Sequence, residues 1–378
     1  MTLHLGAPPT EGAAGDTEPA RMGRFRELDG LRGVAVGLVA LGHFSLSVDQ
    51  FYPDLPVSTW AFDYGAYGVQ LFFVISGYVI LLTASRSARP RDFLIARAAR
   101  LYPTYWVALA SSALLLVLLP HPPFPVTAGQ VAINATMLQR FLFVADVDPV
   151  YWTLAVELIF YAAMYLLLVV RARQQAGLDD RVITRAASAW VAIAVAAALW
   201  GAGRPLTTPV KIVLNLTAAE FAPLFATGMM LYLSRRDGRL HPLTLPFAGA
   251  AVLTATLLHT PLAGVMIGLL VLLFLTVTTA SAVPALASGP VHFLGRISYS
   301  YYLLHTVTGF ALVYELTPVL GRLAAMIVAT LVTVLLAWIS YRWVEGSLSR
   351  RFRALLTALF TRQGTRQGTR QGTRQASR

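Results

Sequence analysis

Long apolar runs, separated by short polar stretches rich in arginine or proline, set the pattern of this chain. A run of about 17–25 apolar residues is long enough to cross a bilayer as a helix. Ten such runs fall near 28–47, 66–85, 103–119, 150–170, 186–202, 210–234, 242–259, 262–283, 294–316 and 322–345. The eighth is uninterrupted, the fifth is short, and the seventh contains Pro246. The pattern predicts an all-α polytopic membrane protein with about ten transmembrane helices. Ten crossings place both ends of the chain on one side, and the arginines choose that side. Arg86, Arg89, Arg91, Arg97 and Arg100 lie between the second and third runs; Arg171, Arg173, Arg181 and Arg185 follow the fourth; Arg235, Arg236 and Arg239 follow the sixth. The opposite stretch 48–65 has no Lys or Arg but carries Asp49, Asp54 and Asp63. Cytoplasmic loops collect positive charge, so both termini are expected in the cytoplasm. Arg140, Arg204 and Arg322 are the minor exceptions on the outer side.

The flanks read differently. Residues 1–23 are polar and rich in Gly, Ala, Pro and Thr, as in a flexible cytoplasmic tail. No cleavable signal peptide is visible, and the first apolar run, preceded by Arg21, Arg24 and Arg26, is expected to stay as the first helix. The membrane domain is expected over 24–346. The basic tail 347–378 contains TRQG repeats from Thr361 to Gln375, whose low complexity predicts disorder. The long outer segment 120–149 opens with an extended HPPFP turn, after which a short helix could lie at the interface or re-enter.

Composition narrows the chemistry. The chain has 378 residues, 56% hydrophobic and only 13% charged, about half the charged share of a soluble protein. Its net charge is +12, nearly all from arginine, since Lys211 is the single lysine. Topology accounts for that charge without a nucleic-acid partner. With no cysteine there can be no disulfide, thiol nucleophile or thiolate metal site. There is no Walker A loop, GxGxxG or HExxH, and no metal is expected. The Ala- and Arg-rich, Lys-poor bias suggests a G+C-rich bacterial genome, hence a bacterial cytoplasmic membrane.

Arg32 and His43 carry the most information. They stand eleven residues apart in the first run. At 100° per residue this is about 20° past three turns, so both share one helix face, separated by roughly 16 Å. Ionisable groups inside a membrane are costly and mark function by default. Glu157, in VYWTLAVELIFY of the fourth run, counts to about 10 Å below the outer boundary. His43 counts to a similar depth, so the carboxylate is expected to meet and orient the imidazole. Ser76, in FFVISGYVI, is a hydrogen-bonding candidate, while neighbouring Gly77 lets helices approach. Arg97 and Arg100 precede the third run as an interfacial anchor or a phosphate clamp. Tyr299 and His305, in GRISYSYYLLH of the ninth run, could line a polar cavity, alongside Ser298 and Tyr302. Glu220 stands as a lone carboxylate near mid-membrane. Glu345 is expected to form a boundary pair with Arg342, and His121, His241, His259 and His292 lie in loops without signal.

RELDGLRGVAV followed by His43, then FFVISGYVI, RAARLYPTYW, YWTLAVEL and GRISYSYYLLH, resembles the acyltransferase-3 family of membrane O-acyltransferases. The resemblance covers roughly 24–346. It implies about ten helices, a cytoplasmic acyl-CoA donor, commonly acetyl-CoA, and a hydroxyl acceptor, usually on a sugar. It also implies Arg32 and His43 as the first-helix motif, Arg97 and Arg100 as an Arg-x-x-Arg ahead of Tyr-Pro, and Glu157 as the acid of a Trp-x-x-x-x-Glu stretch. Two departures stand out: Glu345 is followed by Gly346 where the family has a nearby proline, and no extracytoplasmic esterase-like domain is appended. The expected reaction has His43 as general base, Glu157 orienting it, and Arg32, Arg97 and Arg100 holding CoA. The expected partners are acyl-CoA, the bilayer and a carbohydrate or glycosylated small molecule such as a macrolide. A rival reading is a proton-coupled transporter in which His43, Glu157 and Glu220 relay protons, although no inverted repeat is visible.

Overall fold

The computed structural model describes residues 26–360, apart from 57, 59, 204, 280–282 and 288. The leading tail, the TRQG repeats and Arg204 lie outside the described residues. Among the described residues there is no strand, and eight helices are long and apolar enough to cross a membrane. These are α1 (Arg26–Phe51), α2 (Ala66–Ser85), α3 (Pro90–Leu118), α4 (Trp152–Arg173), α5 (Asp180–Gly201), α8 (Pro261–Thr279), α9 (Gly289–Leu320) and α10 (Arg322–Phe360). Between α5 and α8 come a broken span, α6 (Thr208–Thr217 with Ala219–Asp237), and a short apolar helix, α7 (Thr244–Leu258). Helices suit this environment because they satisfy their own backbone polar groups without water. All ten expected runs are therefore helical.

Four differences from the sequence expectation have local causes. α3 begins at Pro90 rather than 103, because Pro90 occupies its first turn and the Arg89 amide donates to Asp92 Oδ2 at 3.1 Å. Arg97 and Arg100 consequently ride on a continuous helix, with Pro103 buried inside it. α6 bends by 66° at Ala218, whose φ of 49° is left-handed, and Pro223 starts the second half. α10 continues past the expected end at 346 through a π-helical segment, Tyr341–Leu348. A second π-helical turn, His43–Ser47, widens α1. Such turns insert a residue into a helix and recur at functional positions.

Small residues set the helix spacing around the centre. A side chain at Gly33 would meet the Val291 carbonyl, and one at Gly295 the Asp29 carbonyl, so α1 and α9 touch backbone to backbone. Gly77 of α2 faces the Phe225 carbonyl, and Gly228 of α6 faces the Val74 carbonyl. Without a hydrophobic driving force in lipid, this close packing is a main source of helix association. The outer segment folds as one capped turn: Thr127 Oγ1 accepts from the Gln130 amide, helix Ala128–Asn134 follows, and buried Asn134 ties it to the carbonyls of Gln130 and Ala145.

Candidate active site

Helices α1, α2, α3, α4 and α9 enclose a narrow slot of about 90 Å³. Arg32, Ser76, Arg97, Arg100, Glu157 and Tyr299 all line it. Six candidate residues from five helices thus converge on one cavity. The Glu157 carboxylate receives two hydrogen bonds on Oε1, from Tyr161 OH at 2.6 Å, one turn along α4, and from Ser76 Oγ at 3.2 Å. Its Oε2 has no protein partner among the described residues. Arg97 donates to Thr83 Oγ1 at 2.9 Å and stands 5.7 Å from the centre of the Tyr161 ring. Arg32 makes no hydrogen bond or ion pair with another described residue. The slot therefore carries a guanidinium without a hydrogen-bond partner among the described residues and a half-open carboxylate.

Arg100 is differently placed. It ion-pairs with Glu345 and stacks 4.9 Å over the Tyr299 ring, whose hydroxyl donates to the Leu101 carbonyl at 2.9 Å. Glu345 also accepts from Ser300, at 2.6 Å from Oγ and 3.2 Å from the amide. The expected Glu345–Arg342 boundary pair is thus replaced. The π-helical turn carries Glu345 inward to α3 and α9 and leaves Arg342 exposed.

His43 does not meet Glu157. Its Nδ1 lies 2.8 Å from Nε2 of His305, with the two rings within 5° of parallel. Equal depth did not bring His43 and Glu157 together, because α9, packed backbone to backbone on α1, takes the face that His43 presents. His305 Nδ1 lies 3.0 Å from the Tyr302 carbonyl and 3.2 Å from that of Tyr301. Carbonyls only accept, so Nδ1 carries the hydrogen and Nε2 of the neutral ring accepts. His43 Nδ1 must then donate, which leaves His43 Nε2 with a lone pair that no described residue engages. The two histidines lie outside the lining of the slot. Tyr302 lines the slot, its ring is 5.9 Å from His305, and Phe72 meets it edge-on.

Asp148 was not among the candidates. It is wholly buried in the outer segment, where Oδ2 accepts from the Val307 amide at 3.3 Å and Ser112 Oγ at 3.4 Å, and Oδ1 from the Val150 amide at 3.2 Å. Burial pushes its carboxyl up to about 7, against the opposing pull of these donors. It fastens the outer segment to α9 two residues beyond His305. The signal available in the sequence was two acids, Asp146 and Asp148, directly ahead of Pro149 and the fourth run.

Glu220 is not alone and does not sit in the slot. The break at Ala218 puts it at the outer end of a half-helix, where its Oε1 lies 2.9 Å from Nε2 of His259, at the end of α7. That hydrogen bond raises the His259 pKa. His292, expected in a loop, lies in α9 at 3.7 Å from Asp29. Among the described residues no cluster of three His, Asp or Glu could hold a metal.

Comparison with known proteins decides the class. The model of a family described as acyltransferase domain, of the acyltransferase-3 type, matches residues 25–342. The chain belongs to this family. It is a multi-pass membrane O-acyltransferase, and the transporter reading falls with that assignment. It is 29% identical over 311 residues to the exopolysaccharide production protein ExoZ of Rhizobium meliloti (strain 1021), covering 78% of this chain and 92% of that protein. Nodulation protein 10 of Rhizobium leguminosarum bv. viciae is 29% identical over 153 residues, 35% of this chain and 42% of its own. Acyltransferase MdmB of Streptomyces mycarofaciens is 28% identical over 153 residues, 38% of this chain and 39% of its own. No solved structure matches.

Proposed function

We propose that this acyltransferase moves an acyl group, acetyl in the simplest case, from cytoplasmic acyl-CoA to a hydroxyl of an exported polysaccharide in a bacterial cytoplasmic membrane. The observation that carries the reading is the contact of His43 Nδ1 with His305 Nε2 at 2.8 Å. That contact commits Nδ1 to His305 and leaves Nε2 as the base. In the reaction the acceptor hydroxyl oxygen bonds to the thioester carbonyl carbon while its proton passes to His43 Nε2. The carbon–sulfur bond then breaks, and the CoA thiolate takes the proton back from the imidazolium. His305 orients the base, the role first expected of Glu157. Arg32, with Arg97 and Arg100, supplies the positive charge that receives the donor from the cytoplasmic end. Glu157 Oε2 accepts along the slot, and Ser76 Oγ, its hydrogen given to Glu157 Oε1, accepts as well. The acyl group must pass between Phe72 and Tyr302 to reach the base.

The polysaccharide acceptor is supported by the relative named for exopolysaccharide production, which spans most of both chains. The test is transfer of radiolabel from acetyl-CoA to cell-surface glycan fractions and to a macrolide panel. Wild type is compared with His43→Ala and His305→Phe in purified membranes. Label should enter a glycan with wild type alone. His43→Ala, folded and retaining more than about a tenth of the rate, would exclude it as the base, since general bases contribute about 10²–10⁴-fold.

A further inference from the structure

The slot and a second cavity meet at Arg100. At about 90 Å³ the slot has room for a thin chain and an acyl group, but not for the nucleotide half of a CoA thioester. On the cytoplasmic side of Arg100 lies a groove of about 630 Å³, within the range of nucleotide-sized sites. Its walls are Arg296 of α9 and the π-helical segment of α10 with the residues after it, including Tyr341, Arg342, Trp343 and Arg350. The single carboxylate lining it, Glu345, is already engaged by Arg100 and Ser300. Arg342 and Arg350 have no carboxylate partner among the described residues, and among them Arg296 hydrogen-bonds the Tyr341 hydroxyl alone, at 3.1 Å from Nη2 and 3.4 Å from Nε. Trp343 presents an indole that is 69% exposed. Uncompensated guanidinium forks match phosphate oxygens, and an open indole beside them offers a stacking face for a purine.

We propose that this groove binds the 3′-phosphoadenosine end of the acyl-CoA donor. Arg342 and Arg350 hold the 3′-phosphate, Trp343 stacks on the adenine, and the diphosphate lies at the mouth beside Arg100. Only the pantetheine arm and its thioester enter the slot. The proposal rests on acyl-CoA being the donor. Anionic lipid headgroups share the phosphate chemistry, and the experiment separates the two sources.

Full-length protein is placed in nanodiscs of phosphatidylcholine alone and titrated with CoA and with dephospho-CoA, which lacks the 3′-phosphate. Wild type should prefer CoA by about tenfold or more, the size expected for charge-assisted bonds to one phosphate. The double variant Arg342→Gln/Arg350→Gln should bind both ligands equally, with unchanged affinity for dephospho-CoA. A merely structural defect would weaken both ligands together and would overturn the assignment. So would a CoA preference that survives the double substitution. If the variant keeps that preference and instead loses phosphatidylglycerol retained by wild type in native mass spectra, the groove is a lipid site. Wild type that binds neither ligand would remove the donor reading itself, an outcome distinct from all the others.

Discussion

At the residue scale, the shared face of Arg32 and His43 could be read from a spacing of eleven, but the partner of His43 could not. Helical periodicity gives the direction of a side chain on its own helix, and depth counting gives its height. Neither says which neighbouring helix stands opposite. The partner, His305, lies on α9, 262 residues away. If His305 fixes the tautomer of His43, His305→Phe should lower kcat by about 10²-fold or more while KM for acyl-CoA stays within about twofold. Equal losses in both parameters would point to a packing role instead. Asp148 makes a different prediction. Its folded-state carboxyl is raised to about 7 from 3.8. The stability it contributes is therefore fully present below about pH 4 and is lost as pH rises through about 7. Asp148→Asn removes the charge, but its single oxygen serves either the Val150 or the Val307 amide and its NH2 faces the other donor. From pH 5 to pH 8 wild type should lose on the order of 3 kcal/mol that the variant keeps, so the gap in melting temperature should move in the variant's favour over that range. Thermal scans in detergent at the two pH values check this, and a gap that does not depend on pH would contradict it.

At the element scale, ten apolar runs became ten helices, because about 20 residues without charge leave a chain in lipid no other economical structure. The break in α6 was not legible. Ala218 adopts a left-handed conformation with φ of 49°, which alanine disfavours by about 1–2 kcal/mol, and only Pro223 hinted at a new helix start. Ala218→Gly should accordingly raise stability by up to about 1 kcal/mol, measured as a higher melting temperature. A loss would show that the methyl's packing outweighs the strain. The contact of α1 with α9 makes the opposite prediction. A side chain at Gly295 would overlap the Asp29 carbonyl, so Gly295→Val should destabilise by about 1–3 kcal/mol. It should also reduce transfer, because His43 and His305 sit on these same two helices. The early start of α3 has the same lesson as α6: the arginine-rich stretch placed ahead of the third run is part of its helix, because a proline in the first turn starts it.

At the scale of the whole molecule, the charge asymmetry gave an orientation that can be tested without background, since the chain has no cysteine. Gly129 and Gly177 both face open space. In whole cells an impermeant maleimide should label Gly129→Cys and spare Gly177→Cys; the reverse pattern would invert the topology. The bundle also divides into one half with the arginine slot and its groove and a layer holding the two histidines. Between them lie the rings of Phe72 and Tyr302. A hydrated ion moving through the bundle would have to shed its water to pass these rings, and nothing there replaces that water but one hydroxyl already bonded to Thr153 at 3.0 Å. The enzyme should accordingly behave as an electrical insulator as well as a catalyst. Proteoliposomes carrying it should hold a potassium diffusion potential as long as empty ones do, whereas Tyr302→Ala should let it decay. The layer through which an acyl group must be handed would then also be what keeps a membrane potential from draining through the site.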